Sequence, residues 1–139
     1  MKSFLLLAIL ISLLSPKKNT NISLSLQVTG FSSNEGKAFI GLYRPQDKWP
    51  EINKQFIGKV VVIENGIAKI TFETLEKGYY AIAVFHDRNR NGILDKNMLG
   101  IPVEKYGFSN NARETFSAPS FQSAALNLDK SKWISINVK

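Results

Sequence analysis

Alternation of apolar and polar residues is the feature that most constrains the fold of this 139-residue chain. In residues 22–28, Ile22, Leu24, Leu26 and Val28 are separated by single polar residues. A period of two places these side chains on one face of a β-strand and the polar ones on the other. Strands with one apolar face bury it by packing one sheet against another, so the pattern predicts a layered β-protein.

Seven strands follow from this periodicity. They cover ISLSLQVT, AFIGLYR, KVVVIE, IAKITFE, YYAIAVFH, SAALNL and KWISINV. Asn65-Gly66 tolerates positive φ and predicts a tight hairpin turn between the third and fourth strands. YYAIAVFH is apolar on both faces, which is typical of a central strand. The chain is therefore predicted to be all-β: an antiparallel Greek-key β-sandwich, transthyretin-like or immunoglobulin-like, with one long irregular loop.

The alternation also predicts core residues and a corner between two strands. We expect burial of Leu26, Phe72, Tyr80, Ile82 and Ile136. In Leu75-x-x-Gly78-x-Tyr80 the glycine supplies the turn conformation. The tyrosine is expected to point inward, with its hydroxyl bonded to backbone. This corner is similar to one in transthyretin-like and carboxypeptidase-regulatory-like sandwiches.

The N-terminus differs in kind from the rest of the chain. Lys2 precedes an apolar run, Phe4 to Leu14, which is typical of a secretory signal peptide. Eleven helical residues reach about 16 Å, short of a hydrocarbon core of about 30 Å, which disfavours a transmembrane anchor. We interpret residues 1–20 as signal peptide and linker, cleaved between Ser15 and Asn21. Residues 21–139 are interpreted as one domain, exported to the periplasm or cell surface without a transmembrane span.

Composition narrows the functional classes. The chain has no cysteine, which excludes disulfides, a thiolate metal site and a cysteine nucleophile. The net charge is +7, and only Lys2 contributes before residue 16, so the remainder carries +6. The lysines are scattered singly rather than clustered, which indicates a solvated basic surface and no nucleic-acid partner.

The stretch DRNRNGILD, residues 87–95, carries the sharpest motif. Oxygen-bearing side chains recur at every second position, followed by a glycine and then an acid, as in the first nine positions of an EF-hand-type calcium loop. The candidate ligands are the side chains of Asp87, Asn89, Asn91 and Asp95 and the carbonyl of Ile93. Leu94 is expected to anchor the loop in the core.

The motif departs from a full calcium loop at its twelfth position, where Met98 replaces the expected bidentate glutamate. Only two carboxylates remain, so modest affinity and a structural Ca²⁺ are expected. The alternative is an Asx-rich turn whose side chains bond its own backbone.

His86, the only histidine, shares strand parity with Tyr80, Ile82 and Val84. It is expected to end an inward-facing stripe as a buried, hydrogen-bonded residue. A general-base role is the alternative, but adjacent Asp87 points to the opposite face of the strand. We find no nucleophile elbow, P-loop or dinucleotide-binding fingerprint, so no catalytic residue is assigned.

Residues 100–121 form a long stretch punctuated by aromatic residues. Loops of this length are either packed on the domain or used for binding. In the second case, a ligand surface for a protein, peptide or glycan would include Trp49, Tyr106, Phe108, Asn110, Asn111 and Arg113. In the first case, the aromatic residues pin the loop over an open end of the sandwich.

The run FHDRNRNGILDKNMLGIPVEKYGFSNNA, residues 85–112, resembles the hallmark FHDxNxNGxLD…LGIP…YGFSNNA of small exported bacterial proteins grouped as a domain of unknown function. The resemblance extends over nearly everything after the signal peptide. It implies export and a β-sandwich, and it offers no catalytic residues to carry over.

The function expected from the sequence is that of a non-enzymatic exported module that binds an unidentified ligand, with a Ca²⁺-stabilised loop. One alternative is an envelope hydrolase that uses His86 with Asp95 or Glu104. Another is a structural partner domain in an envelope complex.

Overall fold

The computed structural model describes residues 21–139, which form two packed β-sheets. The eight strands are β1 Ile22–Thr29, β2 Lys37–Tyr43, β3 Ile57–Val61, β4 Ala68–Leu75, β5 Gly78–Asp87, β6 Tyr106–Phe108, β7 Leu126–Leu128 and β8 Lys132–Asn137. A 3₁₀ turn covers Ser109–Asn111, and a short helix α1 covers Phe121–Ala124. The predicted signal peptide falls on residues 1–20, outside the described residues.

The smaller sheet has the order β4-β1-β8, and the larger has the order β3-β2-β5-β6, with β7 also paired to β5. Pairing is antiparallel except between β1 and β8, which run parallel. The β-sandwich expected from the alternation is confirmed, with eight strands rather than seven. β5 lies between β2 and β6, as its two apolar faces indicated.

The inner faces of the two sheets form the main core. All five residues expected there are buried, with exposed fractions of at most 5%: Leu26, Phe72, Tyr80, Ile82 and Ile136. The Tyr80 hydroxyl donates to the carbonyl of Glu76 at 3.0 Å, which confirms the expected corner. Burial of each large side chain in this layer contributes about 1.5–3 kcal/mol.

Two local expectations were wrong. Asn65-Gly66 does make a tight turn, closed by two backbone hydrogen bonds between Glu64 and Ile67. The turn joins different sheets, however, because β3 pairs with β2 and β4 pairs with β1. The start of SAALNL is helical, because the Ser120 side chain caps α1 by accepting from the Ser123 amide.

The long stretch after β5 is less irregular than expected. It contains β6, which extends the larger sheet beside β5. The free side of β6 is covered by the C-terminus, since Tyr106 and Lys139 exchange two backbone hydrogen bonds. Across residues 21–139, no helix has the length and apolar character needed to cross a membrane.

Candidate functional site

The Asp87–Asp95 loop begins where β5 ends. Asp87 is 5% exposed, and its two carboxylate oxygens accept from the amides of Asn91 at 3.0 Å and Gly92 at 2.8 Å. Gly92 has φ +72°, so the chain turns here at a position where a side chain would be strained. Asp87 therefore organises the loop from its buried end.

The other loop side chains meet at Asp95. Its carboxylate accepts from the side-chain amides of Asn89 at 2.6 Å and Asn91 at 2.9 Å. The amide oxygens of both asparagines accept from backbone, Asn89 from the Asn91 amide and Asn91 from the Ile93 amide. The structure thus joins the predicted side chains in one hydrogen-bonded turn.

A cation in this turn would require different side-chain orientations. The donor set, two carboxylates with amide and carbonyl oxygens, has the hard-oxygen chemistry that suits Ca²⁺. The Asn89 and Asn91 amides direct NH₂ groups at Asp95, so they would have to turn their oxygens inward. Within residues 21–139, no group of three or more His, Asp or Glu side chains is placed to hold a metal.

Glu104 is a loop residue that the motif did not reveal. It is 8% exposed, and its two oxygens accept from the backbone amides of Arg88 and Asp95, both at 3.0 Å. The Val103 amide also donates to the Asp95 carbonyl at 2.9 Å. Glu104 therefore ties both ends of the loop together from outside it. The sequence offered Glu104 only as a possible partner of His86 in the hydrolase alternative, not as a residue that holds the loop.

His86 is fully buried, as its strand parity indicated. Its Nε2 lies 2.7 Å from the carbonyl of Glu35, and its ring meets Phe31 edge-on at 5.2 Å. Its Nδ1 has no hydrogen-bond partner among the described residues. Within residues 21–139, no carboxylate forms an ion pair with His86. The described residues therefore do not place a carboxylate beside His86, as the hydrolase alternative requires.

A cleft of about 1010 Å³ lies on the outer face of the larger sheet. Its floor is made by outward-facing residues of β2, β5 and β6: Phe39, Gly41, Tyr43, Ala83, Phe85, Tyr106 and Phe108. Phe39 and Phe85 stack with ring centroids 5.0 Å apart. Gly41 leaves room for the ring of Tyr43, because a Cβ at position 41 would lie only 2.8 Å from that ring. The floor is therefore mainly aromatic, and three of its rings are almost fully covered, since Tyr43, Phe85 and Phe108 are 2%, 5% and 7% exposed.

Tyr43 joins the floor to one wall. Its hydroxyl donates to the carbonyl of Glu51 at 2.8 Å and lies 3.2 Å from that of Pro50. Burial, reinforced by the negative charges of Asp47 and Glu51, raises the pKa of the Tyr43 hydroxyl to about 12. The tyrosine therefore remains neutral at physiological pH and fixes residues 50–52 beside the cleft.

The remaining walls come from two other segments, residues 93–102 and 115–118. Their apolar side chains are exposed: 59% for Ile93, 83% for Leu99, 55% for Ile101 and 99% for Phe116. Single exposed apolar residues are ordinary, whereas these four are clustered around a concave apolar floor. Leu94 is half-buried in the cleft wall rather than anchored in the main core.

The predicted ligand surface divides into two groups. Tyr106 and Phe108 line the cleft. Trp49 packs beside the cleft on Tyr43 and Phe108, and its indole NH donates to the Pro119 carbonyl at 2.8 Å.

The polar members of that surface bond to the domain itself. Asn110 donates to the carbonyls of Ser123 and Ala125. The Asn111 side chain accepts from the Asn137 amide, and Arg113 donates to the Tyr106 carbonyl. These contacts hold the segment after β6 against the sandwich.

Fold and site together define a two-sheet β-sandwich with an apolar cleft beside an Asx-Gly loop. A family model described as uncharacterized protein conserved in bacteria (DUF2141) matches residues 26–135, and the chain belongs to this family. No curated protein and no solved structure shows a significant match.

Proposed function

We propose that this protein is an exported, non-enzymatic binding module that holds an apolar small molecule, such as an acyl chain, in the outer cleft. The observation that carries the proposal is the aromatic floor formed by β2, β5 and β6. Ligand pockets are typically concave, mostly apolar and about 300–1,000 Å³ in volume, and this cleft lies at the upper end of that range.

The cleft chemistry favours an apolar molecule over a peptide. β2 and β5 each pair with strands on both sides, so their backbone groups are already hydrogen-bonded. A peptide laid across this floor could not add a strand, and its own amides would lose water without replacement. An acyl chain carries no such groups and gains from burial in proportion to its apolar area.

A glycan is disfavoured in the cleft for a similar reason. Apart from the hydroxyls of Tyr43, which is bonded to the Glu51 carbonyl, and Tyr106, the polar side chains around the cleft lie on loop segments: Glu51, Lys96, Thr115 and Ser117. Sugar hydroxyls placed against the aromatic floor would therefore be left without partners. An amphiphile could instead place its polar end at this rim.

We further propose that the Asp87–Asp95 loop is stabilised by Ca²⁺ and that its order matters to the cleft. Ile93 and Leu94 belong to this loop and line the cleft wall. With two carboxylates and Met98 at the twelfth position, the affinity is expected to be modest. Such an affinity would suit the proposed export, since extracellular calcium modules bind with Kd values of about 10⁻⁴–10⁻³ M.

Fluorescence of a polyene fatty acid tests ligand binding by the domain beginning at Asn21. We expect saturable binding that unlabelled myristate displaces. Ala83→Phe, which fills the cleft floor, should abolish the signal. Tyr79→Gln is the matched control, because Tyr79 is an exposed aromatic residue on β5 outside the cleft lining. No saturable signal, or equal signals from Ala83→Phe and the wild type, would overturn the proposal.

Export is tested separately by mass spectrometry of protein from the native envelope. The chain should begin between Pro16 and Ile22, because the apolar run Phe4–Leu14 is removed as a signal peptide. Recovery of intact Met1 in the cytosolic fraction would contradict export.

A further inference from the structure

The outer face of the smaller sheet differs from the cleft and carries a single large aromatic residue. Trp133 on β8 is 64% exposed. Its cross-strand partner on β1 is Ser25, which in turn pairs with Thr71 on β4. The next row along the sheet is Ser135, Gln27 and Lys69. An indole therefore lies beside hydroxyl, amide and ammonium groups on a mainly polar surface.

These residues enclose a shallow depression. Its volume is about 380 Å³, and its side-chain lining includes Trp133, Ser25, Gln27, Lys69 and Thr71. The Ser25 and Thr71 hydroxyls are 3.0 Å apart and bond to each other. The Gln27 amide and the Lys69 ammonium make no side-chain hydrogen bond with the rest of residues 21–139. They are therefore available to a ligand next to the indole.

We infer that this depression binds a polysaccharide chain, with one pyranose ring stacked on Trp133. The axial C–H groups of a pyranose with equatorial substituents form a flat, weakly positive face, which complements the negative face of an indole ring. The ring hydroxyls extend sideways from that face and require hydrogen-bond partners. Gln27, Lys69 and Thr71 supply donors and acceptors at that level.

Other occupants fit this face less well. A stable protein interface buries about 800 Å² on each partner around an apolar core, whereas the apolar surface here is essentially one indole. An acyl chain would remove the charge of Lys69 and the Gln27 amide from water without compensation. A nucleic acid needs a basic stripe, whereas the outward-facing residues of β4 include acidic Glu73 as well as Lys69.

Calorimetric titration with cellohexaose and with chitohexaose tests this inference on the domain beginning at Asn21. Both hexasaccharides expose flat C–H faces, and we expect at least one to bind. Sorbitol, which is equally rich in hydroxyls but has no ring, should not bind. Absence of binding by both hexasaccharides to the folded domain overturns the inference.

Variants separate stacking from a general effect on the fold. Trp133→Ala should weaken binding about tenfold or more, as for a central anchor residue, while Trp133→Tyr should retain most of it because the ring remains. Gln27→Ala should weaken binding by a smaller factor. Val60→Ala is the matched control, since Val60 is 62% exposed on β3 of the other sheet. Unchanged affinity in Trp133→Ala would contradict stacking.

Sedimentation velocity distinguishes a second use of the same residue. β8 is an edge strand, so the exposed ring of Trp133 could instead be buried in a contact with a second copy of the chain. The inference predicts a monomer whose sedimentation is the same in the wild type and Trp133→Ala. A Trp133-dependent dimer without saccharide binding would overturn it. Ala83→Phe, which fills the cleft on the other sheet, should leave saccharide binding unchanged.

Discussion

The outer faces of the two sheets differ sharply, although their inner faces are alike. Outside the larger sheet lie Phe39, Tyr43 and Phe85, whereas the smaller sheet presents Ser25, Gln27 and Thr71 at comparable positions. A sandwich needs only one apolar face per sheet to close its core. The second apolar face of the larger sheet is partly covered by loops, since Ala81, Phe108 and Ala124 form a second buried cluster there. We assign the part that stays open to binding.

The loops show the same asymmetry. Residues 50–52, 93–102 and 115–118 all border the outer face of the larger sheet. Trp49, Phe108 and Phe121 close one part of that face with edge-on and tilted ring contacts. The rest stays open as the cleft. The sequence left open whether these aromatic residues pack the long loop on the domain or line a surface. In the structure some of them pack the loop, and others line the cleft.

The comparison predicts that the two apolar faces differ in stability. Phe72→Ala should cost about 3–5 kcal/mol, because Phe72 is 2% exposed between the sheets and its removal leaves a cavity. Phe39→Ala should cost only about 1 kcal/mol, since Phe39 is half-buried and already borders the cleft. Urea unfolding measures both values. Equal losses would mean that the cleft floor belongs to the folding core.

The next effect concerns Ca²⁺ and the cleft wall. A cation that binds only the folded state, at a free concentration 100 times its Kd, increases the free energy of unfolding by about 2.7 kcal/mol. This increase raises Tm by several degrees. Asp87→Ala should abolish this rise, because it removes one of two candidate carboxylate ligands. Met98→Glu should increase it by supplying the twelfth ligand. A melting curve unchanged up to about 100 mM Ca²⁺, relative to a control matched in ionic strength, would leave the loop as an Asx-Gly turn.

Glu104 should stabilise the loop with or without a cation. In Glu104→Gln, the side-chain NH₂ cannot accept a hydrogen bond, so one of the Arg88 and Asp95 amides loses its partner. We expect a loss of about 1.5–3 kcal/mol, the range for hydrogen bonds to charged groups. Hydrogen exchange should accelerate at residues 88–95. Glu114→Gln, on the exposed surface, is the control and should change neither quantity.

The smallest effect is a pH dependence at the cleft wall. The pKa of Tyr43 is raised to about 12 from an ordinary value of 10.0. The stability linked to its neutral form is therefore fully present below pH 10 and is lost as the pH rises from 10 to 12. Tyr43→Phe should remove this contribution to the decline. If the two proteins lose stability in parallel between pH 10 and 12, the hydroxyl is not coupled to folding.

The sequence was most informative where the structure is local and repetitive. Alternation identified the sandwich, the buried face of β4 and the buried position of His86. It could not show that β3 and β4 lie in different sheets, because a tight turn such as Asn65-Gly66 is compatible with pairing or with a change of sheet. The calcium-loop motif, in turn, placed Leu94 in the core, although this residue lines the cleft.

The site was less predictable, because it depends on contacts between distant segments. Glu104 bonds amides 16 and 9 residues away, a relation that no local motif contains. The cleft joins three loop segments with three strands, and only the final fold brings them together. Asn110, Asn111 and Arg113 were candidate ligand residues by type alone, yet the structure shows them bonded to neighbouring backbone.

Ligand binding in the outer cleft is tested most directly by an amide NMR titration of the domain beginning at Asn21 with myristate. We predict saturable shift changes on the outer face of the larger sheet, at Phe39, Ala83 and Tyr106. Amides of the smaller sheet, such as those of Gln27 and Thr71, should not move. Changes confined to the smaller sheet, or no changes when myristate is in excess, would contradict the assignment of the cleft as the ligand site.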